Sequence, residues 1–596
     1  MDPHRPTRSW KSGTVVAALS GAFLCIVILG VSLDLALIKR IDAPFVDGWP
    51  VLHRIMLLES GEIGWGWYLF ALHGAHLHTI IYLLALLDYK WLGGQQYLQT
   101  VASFLAIALH AGMIVWLLAR EGLNRGASLL ETVLACLAAV ALICSMSDTQ
   151  SLLIPFQAVL TVSRLFYLSL LLALCFALIQ RRPALYASAM LLAVPAVTFH
   201  GTGQIFGLSI IILHVLLRQG ALRTLGSCVP LVFGLFIQSR YSVGVGELSS
   251  LGAVLTPSAL PEVALAVAAY FATPFVAFLH IVDNRLLLIP GAILACSTLL
   301  LTLLGLRAVL GLNSWSPRGW LRQLRTPGQL VTAVDPAVAF FTIAGLLLLI
   351  SSLVAAVLGF VRTAPLHLRA WPDVFDATRY AAYSTLACIM PLAAWLHRPA
   401  GRHQRSVSRL LPLSISVLLL AAGLGGTLRM AELSPTDDGT NAAVAAMMVG
   451  ISPTIPENLN TWPSVRGDWY WTAELPRVAA WLRAEGAGPF RYLPPLHTRG
   501  GPSYAAYQLN DMKMEPFSLQ DAPGWCRVTA TIPAWGRGLP SRSTIAPLAG
   551  PDGIVVGYAV LTRKSSGLAS RTLTGTVGCG SVSNLLFIPP VEAPRR

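Results

Sequence analysis

Titratable side chains are concentrated in one short stretch that follows the first apolar run of the chain. In residues 45–78, FVDGWPVLHRIMLLESGEIGWGWYLFALHGAHLH, Asp47 comes directly after an apolar run, and His73, His76 and His78 follow at spacings of three and two. A carboxylate can serve as a general base or a metal ligand, and neutral imidazoles can carry protons near pH 7 or ligate a metal. The stretch therefore holds the groups needed for proton transfer, or for a metal site, beside the first helix.

Each of these residues also has a purely structural interpretation. An Asp before Gly-Trp-Pro can simply form a turn, and histidines on a surface helix at the headgroup level often ligate nothing. The sequence leaves open whether the histidines bind a metal, contact a lipid or acceptor, or do neither. Four tryptophans are most simply an interfacial aromatic belt, with stacking on a sugar as the alternative. They are Trp49, Trp65, Trp67 and Trp91.

Composition indicates the solvent around these groups. Of the 596 residues, 55% are hydrophobic and 12% are charged, whereas about a quarter of the residues in soluble domains are charged. The chain is therefore predicted to be a polytopic membrane protein. The excess of 42 Lys and Arg over 28 Asp and Glu lies largely in short loops between apolar runs. It therefore indicates topology and argues against nucleic-acid binding.

Apolar runs of spanning length predict an all-α transmembrane domain over residues 1–425. The basic N-terminus and the first run, 14–33, which lacks a cleavage signal, predict a retained helix with a cytoplasmic N-terminus. With the basic loops in the cytoplasm, the chain has about eleven transmembrane helices, within a range of about 10–13. Residues 262–282, broken by Pro274, are then a re-entrant or interfacial segment, and 77–93 form a helix in the headgroup layer. The basic loops are 119–128, 180–183, 218–223, 316–325 and 397–409.

The same frame predicts long outer loops and a C-terminal domain on the opposite face. The outer loops are 35–97, 145–157 and 361–380. From about residue 426 the composition changes to Pro, Gly, Thr, Asp and Trp, which predicts an extracytoplasmic α/β domain over 426–596. In that oxidising compartment Cys526 and Cys579 can pair, although the sequence leaves open whether their Cα atoms come close enough.

Six short motifs occur in an order that resembles a known superfamily. They are Asp47-Gly48-Trp49, HGAHL at 73–77, DTQSLLIPFQ at 148–157, FHGTG at 199–203, Arg362, and Thr378-Arg379-Tyr380. Over about residues 14–400 the chain resembles the GT-C superfamily, polytopic glycosyltransferases that use polyprenyl-phosphate sugars, such as the protein O-mannosyltransferases and aminoarabinose transferases. More narrowly, it resembles bacterial GT-C-like membrane proteins of mostly unassigned substrate, whose pattern runs DDW, HNEHR, QWENLLWGFQ, F..NG, GR and SRY.

The chain departs from that pattern at three positions. The Glu and Arg of HNEHR are Ala75 and Leu77 here, and the Glu of QWEN is Gln150. The resemblance therefore implies no metal or base at these positions.

The resemblance implies a transferase site at the membrane face. Such a site needs a base for the acceptor hydroxyl, stabilisation of the phosphate leaving group, and little water. Asp47 is implied as the base or as a ligand to Mg²⁺ or Mn²⁺. Asp148 could replace the second acid, with a helix N-cap as its alternative role. The implied substrate or phosphate contacts are Arg362, Arg379, Tyr380, Gln157, His73, His76 and His78, and interfacial snorkelling is the alternative for the two arginines.

We therefore expect a multi-pass protein of the bacterial inner (plasma) membrane. It would transfer one sugar from a polyprenyl-phosphate donor to an envelope glycan, lipid or protein, with no cofactor implied other than a divalent metal. The alternative is a non-catalytic or transport protein that handles envelope lipids or polysaccharide on the same scaffold, as the missing acids could imply. Transporters place ionisable residues near the bilayer midplane, whereas the acids here concentrate in predicted outer loops, which favours the enzyme. Arg164 lies inside a predicted span and should face the protein interior or a wet cavity.

Overall fold

A computed structural model gives the architecture of most helices and strands. The residues that it describes are 12–39, 48–73, 76–125, 127–145, 155–241, 259–276, 284–311, 334–363, 370–376, 381–397, 406–432, 445–446, 448–449, 474–491, 493–494, 496–499, 505–509, 512–516, 524–533, 544–563, 570–580, 582 and 584–587. The described chain is mainly helical, with an antiparallel sheet near its C-terminus.

The helices follow one another along the chain up to residue 485. They are α1 Ser12–Lys39, α2 Gly48–Glu59, α3 Trp65–Phe70, α4 Thr79–Leu92, α5 Tyr97–Asn124, α6 Leu129–Ile143, α7 Ala158–Ile179, α8 Pro183–Ala196, α9 Gly203–Leu216, α10 Ala221–Gly226, α11 Val229–Tyr241, α12 Ala259–Val276, α13 Asn284–Leu310, α14 Pro336–Thr363, α15 Ala370–Asp376, α16 Ala381–Leu396, α17 Ser406–Glu432 and α18 Leu475–Glu485. Two 3₁₀ turns, Pro155–Gln157 and Gly488–Arg491, precede α7 and follow α18.

Six helical segments of the described chain are long and apolar enough to cross a membrane, which makes this a membrane protein. They are Val15–Leu33, Tyr97–Asn124, Pro155–Ile179, Ala221–Tyr241, Arg285–Leu310 and Pro336–Val361. The described residues therefore hold fewer candidate spans than the eleven or so predicted for the whole chain. The other apolar segments of the described helices, including Leu413–Gly425 within α17, have 10–17 residues. A 15-residue segment rises only about 22 Å along a helix axis, against a hydrocarbon core of about 30 Å.

Contacts between loops show which helix ends lie together at each of the two ends of the bundle. The end that contains Arg125 is called the Arg125 end. Arg125 Nη2 lies 3.1 Å from Asp335 Oδ2 and 3.2 Å from His397 Nε2, which joins the end of α5 to the start of α14 and the end of α16. Arg218 Nη2, after α9, donates to the carbonyl of Leu310 at the end of α13 at 3.3 Å. Three of the loops predicted to share the cytoplasmic face thus lie at one end of the helices.

The close packing of α13 on α14 ties these two sets of contacts together. A Cβ on Gly305 would lie 2.1 Å from Thr342 Oγ1, and one on Gly345 would lie 2.2 Å from Thr302 Oγ1. The two helices therefore run antiparallel, so the end of α13 and the start of α14 are at the same end.

The short helix α12 belongs to the opposite end of the bundle. Thr273 Oγ1, near the end of α12, lies 2.7 Å from Ser384 Oγ in the first turn of α16. The helix also packs against α15, which lies between the end of α14 and the start of α16. Pro274 lies inside this helix, and the re-entrant or interfacial arrangement of 262–282 stays a prediction.

Seven antiparallel strands form the C-terminal sheet, in the order β1-β7-β4-β5-β6-β3-β2. The strands are β1 Ala505–Gln508, β2 Met512–Pro516, β3 Trp525–Pro533, β4 Thr544–Ala549, β5 Val555–Arg563, β6 Ser570–Gly578 and β7 Asn584–Phe587. The sequence predicted an α/β domain here. The described part of this region holds the helix α18 and the sheet, and all the described strand pairs are antiparallel.

A disulfide joins Cys526 of β3 to Cys579, the residue that follows β6, and their Cα atoms are 5.0 Å apart. The expected pairing is therefore present. Cys526 lies opposite Val577 in the β3–β6 pair, so the bond links two strands that are already neighbours.

The C-terminal region is attached to the segment between α1 and α5. Gly488 N donates to the carbonyl of Gly93 at 2.7 Å, and the rings of Tyr89 and Trp481 stack with centroids 5.4 Å apart. Arg477 Nη2 lies 2.6 Å from Glu62 Oε1. Backbone, aromatic and ionic contacts thus all join α18 and the turn after it to the first predicted outer loop.

We expect Gly291→Ala to destabilise the protein by about 1–3 kcal/mol, because inserting a methyl group at a tight contact forces a backbone shift. A Cβ at Gly291 of α13 would lie 2.0 Å from the carbonyl oxygen of Ala268 in α12. Thermal unfolding of the purified protein in detergent measures the change. Gly30→Ala is the matched control, since a Cβ at Gly30 meets no described atom within 4 Å. An equal midpoint for the two variants would contradict the close packing of α12 on α13.

Candidate functional site

Arg54 organises the chain that leads to the predicted histidines. Its side chain is buried in α2, and its Nη1 and Nη2 donate to the carbonyls of Ala71 and Leu72 at 2.7 and 2.6 Å. The guanidinium carbon lies 5.2 Å from the ring centroid of Trp67 and 4.4 Å from that of Tyr82. Arg54 thus binds carbonyls that follow the end of α3, and it fixes the chain just before His73.

His73 and His76 face each other across a tight backbone bridge. His73 N donates to His76 O at 2.9 Å, and His76 N donates to His73 O at 3.2 Å. The predicted headgroup helix over 77–93 begins only at Thr79, so all three predicted histidines precede it. The prediction placed the helix start too early because His78, at the N-cap position, already has a non-helical backbone.

Four imidazoles come together here, and we call His73, His76, His78 and His200 the histidine cluster. The ring centroid of His78 is 5.3 Å from that of His200 and 5.8 Å from that of His73, and the centroids of His76 and His200 are 6.0 Å apart. The Phe156 ring packs on the cluster, 5.1 Å from His73 and 5.3 Å from His78. Residues of three of the six motifs therefore meet at this point.

A glycine permits the close approach of the two histidine-bearing segments. A Cβ on Gly201 would lie 2.5 Å from His76 Nδ1, so any larger residue there would displace the imidazole. Thr79 N also donates to the carbonyl of Thr198 at 3.2 Å, which ties the start of α4 to the turn before α9. This end of the bundle is the histidine end, opposite the Arg125 end.

Hydroxyl groups extend the cluster toward α16. His200 Nδ1 lies 2.9 Å from Thr202 Oγ1, which lies 3.4 Å from the hydroxyl of Tyr383. Tyr167 OH donates to the carbonyl of His200 at 3.4 Å. Since Tyr383 comes three residues after Tyr380, the polar network reaches the part of the chain next to the predicted Arg379-Tyr380 pair.

The environment of His78 favours its neutral form. Burial is the largest cause that lowers the pKa of the His78 imidazole well below its usual value, and the neighbouring His200, His73, His76 and Arg54 lower it further. His78 Nδ1 has no hydrogen-bond partner among the described residues. A neutral imidazole in this position can exchange a hydrogen bond or a proton with a bound molecule.

The histidine cluster does not have the geometry of a compact metal site. Within the described ranges, one group of at least three ligand-type side chains has its ligating atoms within 4.8 Å of one another, and it consists of Glu121, Asp335 and His397. That group lies at the Arg125 end, where Arg125 already pairs with Asp335. The cluster is thus better suited to hydrogen bonding and proton exchange than to ligating a metal.

The other predicted site residues fall into two sets. Gln157 is buried at the end of the 3₁₀ turn, next to Phe156, and Arg362 occupies the penultimate position of α14. Because α14 starts at the Arg125 end, Arg362 is at the histidine end. Asp47, Asp148, Arg379 and Tyr380 lie outside the described residues. Of the predicted residues that are described, His73, His76 and His78 therefore meet, and Gln157 follows Phe156, whose ring packs on His73 and His78.

Sequence reasoning missed Arg54, Phe156, His200 and Tyr383 as parts of this site. A signal existed for two of them, since Phe156 and His200 are inside motifs already noted. Arg54 is the one arginine in the mainly apolar run HRIMLL. A buried cation needs hydrogen-bond acceptors nearby.

Models of known protein families and curated proteins give no match to this chain.

We expect the stability of the protein to fall as the pH drops below about 6.5, the ordinary pKa of histidine, partly because of His78. The pKa of the His78 imidazole is lowered in the folded protein, so the unfolded chain binds a proton first as the pH drops. The free energy of unfolding therefore falls by up to about 1.4 kcal/mol per pH unit. Comparison of unfolding midpoints at pH 7.5 and 5.5 measures this loss. His78→Gln should lose less stability on acidification than the wild type.

Phe156→Leu is the control, because it alters the same packing without removing a titratable group. It should keep the acid sensitivity of the wild type. If His78→Gln and the wild type lose equal stability between the two pH values, His78 is not held neutral by burial.

Proposed function

We propose that this chain is a GT-C-like membrane glycosyltransferase. It would move one sugar from a polyprenyl-phosphate donor to an acceptor in the bacterial cell envelope. The observation that supports this best is the meeting of HGAHL, the end of DTQSLLIPFQ, and FHGTG at the histidine end, where ring centroids from the three motifs lie about 5–6 Å apart. These motifs are separated by up to about 120 residues in sequence, and their order gave rise to the resemblance.

In the proposed reaction Asp47 removes the proton of the acceptor hydroxyl. The acceptor oxygen forms a bond to the anomeric carbon while the bond from that carbon to the phosphate oxygen breaks, and polyprenyl phosphate leaves with the electron pair. Arg362 and Arg379 stabilise the phosphate by charge-assisted hydrogen bonds. Gly48 and Trp49, directly after Asp47, are buried at the start of α2, the helix that also carries Arg54.

The histidine cluster, in this proposal, contacts the donor phosphate or the acceptor. Neutral imidazoles can donate one hydrogen bond and accept another, which suits a phosphate on one side and a hydroxyl on the other. The described residues at the histidine end form no compact ligand group, so no step of the proposal passes through a Mg²⁺ or Mn²⁺ ion. Tyr380 and Gln157 complete the proposed substrate contacts.

The proposed orientation puts the Arg125 end in the cytoplasm and the histidine end outside the plasma membrane. The support is the shared position of the basic loops near Arg125, Arg218 and His397, because basic loops are retained on the cytoplasmic side. The sheet domain, attached to the first outer loop through Gly488 and Arg477, would then also be outside.

A transport function is the second candidate, and one observation favours it. His110 of α5 and Arg164 of α7 are 1% and 2% exposed inside membrane-spanning segments, so the prediction that Arg164 faces the interior is confirmed. Ionisable groups that are buried inside membrane-spanning segments are typical of transport pathways. A transporter of envelope lipids would transfer no sugar in any donor assay.

We expect Asp47→Asn to reduce sugar transfer by about 10²–10⁴-fold, the usual contribution of a general base. Solubilised membranes with the full-length protein are assayed against a panel of radiolabelled polyprenyl-phosphate sugars. The matched control is Asp552→Asn, since Asp552 is an exposed acid in a turn of the sheet domain, where Oδ1 accepts from Ile554 N at 3.1 Å.

The control variant should transfer sugar at the wild-type rate. Equal transfer by Asp47→Asn and the wild type would remove Asp47 from the mechanism. Absence of transfer by the wild type with every donor would contradict the glycosyltransferase proposal and favour the transport candidate.

A further inference from the structure

A cleft lies between α5, α7 and the start of α8, near the Arg125 end. It has a volume of about 530 Å³, and its walls are largely apolar, with Met113, Trp116, Leu172 and Phe176 among them. Arg120, Arg182 and Gln180 also line it. The cleft is thus far from the histidine cluster and has no part in the proposed transfer.

Arg120 is a half-buried cation in the wall of this cleft, with 27% of its side chain exposed. Its guanidinium carbon lies 4.9 Å from the ring centroid of Phe176 and 5.7 Å from that of Trp116. Nη1 is buried and has no hydrogen-bond partner among the described residues, and the nearest carboxylate oxygen, Glu121 Oε1, is 3.8 Å away. The two rings hold the charge in place, and the exposed part of the guanidinium faces the cleft that it lines.

A second cation stands at the mouth of the same cleft. Arg182 is at the N-cap position of α8 and exposed, and Gln180 is at the C-cap position of α7. Arg120 itself is four residues before the end of α5, about 6 Å along the helix axis. This is the depth at which lipid headgroups meet the hydrocarbon core of a bilayer.

We propose that this cleft binds an anionic glycerophospholipid. The phosphate would lie between the guanidinium groups of Arg120 and Arg182, and an acyl chain would run along Met113, Trp116 and Leu172. Two arginines at the mouth and an apolar wall behind them match the two parts of such a lipid, and basic pockets between transmembrane helices bind anionic headgroups in this way. A zwitterionic lipid would place its own cation against the arginines.

Lipid titration of the delipidated full-length protein in detergent tests the proposal. Binding of phosphatidylglycerol and phosphatidylcholine is followed by native mass spectrometry and by the unfolding midpoint. We expect phosphatidylglycerol to bind and to raise the midpoint of the wild type, and phosphatidylcholine to bind at least about tenfold more weakly, a difference of about 1.4 kcal/mol. Arg120→Gln should weaken phosphatidylglycerol binding by a similar factor, and Arg120→Lys by less.

Arg223→Gln is the matched control. Arg223 also lies over an aromatic ring, 5.8 Å from the centroid of Tyr186, and belongs to a basic loop of the same end, but it does not line the cleft. This variant should bind phosphatidylglycerol as the wild type does. If Arg120→Gln does not fold, Arg182→Gln, which changes an exposed residue, carries the same expectation of weaker binding.

Three results would overturn the proposal. The first is wild-type binding of phosphatidylglycerol by a folded Arg120→Gln or, where that variant does not fold, by Arg182→Gln. The second is equal binding of phosphatidylglycerol and phosphatidylcholine. The third is an equal rise of the midpoint with inorganic phosphate alone, which would make the site one for a free anion rather than a lipid.

Discussion

The buried guanidinium of Arg54 is the interaction on which the rest of the histidine end depends. It donates to the carbonyls of Ala71 and Leu72 and lies against the rings of Trp67 and Tyr82. An ionised group is costly to bury unless its donors are bonded, so this arrangement permits essentially one course for the chain after α3. That course brings His73 and His76 into their bridge and places His78 and Thr79 against the turn before α9.

The arrangement separates two chemical environments at the two ends of the bundle. At the histidine end, four imidazoles and several hydroxyl groups lie close to Phe156, with Arg54 as a fixed positive charge nearby. At the Arg125 end, Arg125 pairs with Asp335, and Arg120 and Arg182 line an apolar cleft. Close helix contacts at glycines keep the intervening helices packed. Examples are the contact of Gly291 in α13 with α12 and that of Gly423 in α17 with α6. One end is therefore suited to proton exchange, and the other to electrostatic contact with a membrane surface.

The sequence predicted the membrane class and the shared end of the basic loops, because both depend on local composition or on topology that composition determines. It allowed the Cys526–Cys579 pairing but left it open. It predicted more spans than the described residues hold, since hydropathy marks where a segment is apolar but not where its helix ends. It predicted helix and strand in the C-terminal region but not the antiparallel pairing, because single strand-like runs such as GIVVGYAVLT do not reveal their pairing direction. Arg54 was missed because its role depends on carbonyls 17 and 18 residues away, a relation that no periodic pattern encodes.

In the proposed function, the histidine end receives the phosphate of a polyprenyl lipid. A polyprenyl phosphate with a photoreactive group on the isoprene next to the phosphate tests this directly. After irradiation of the full-length protein in membranes, labelled peptides are identified by mass spectrometry. We expect labels in peptides that contain residues 73–78, 155–157 or 199–203, and we expect unlabelled polyprenyl phosphate to compete with the labelling. Labels confined to the Arg125 end, or spread evenly over the lipid-facing helices, would contradict it.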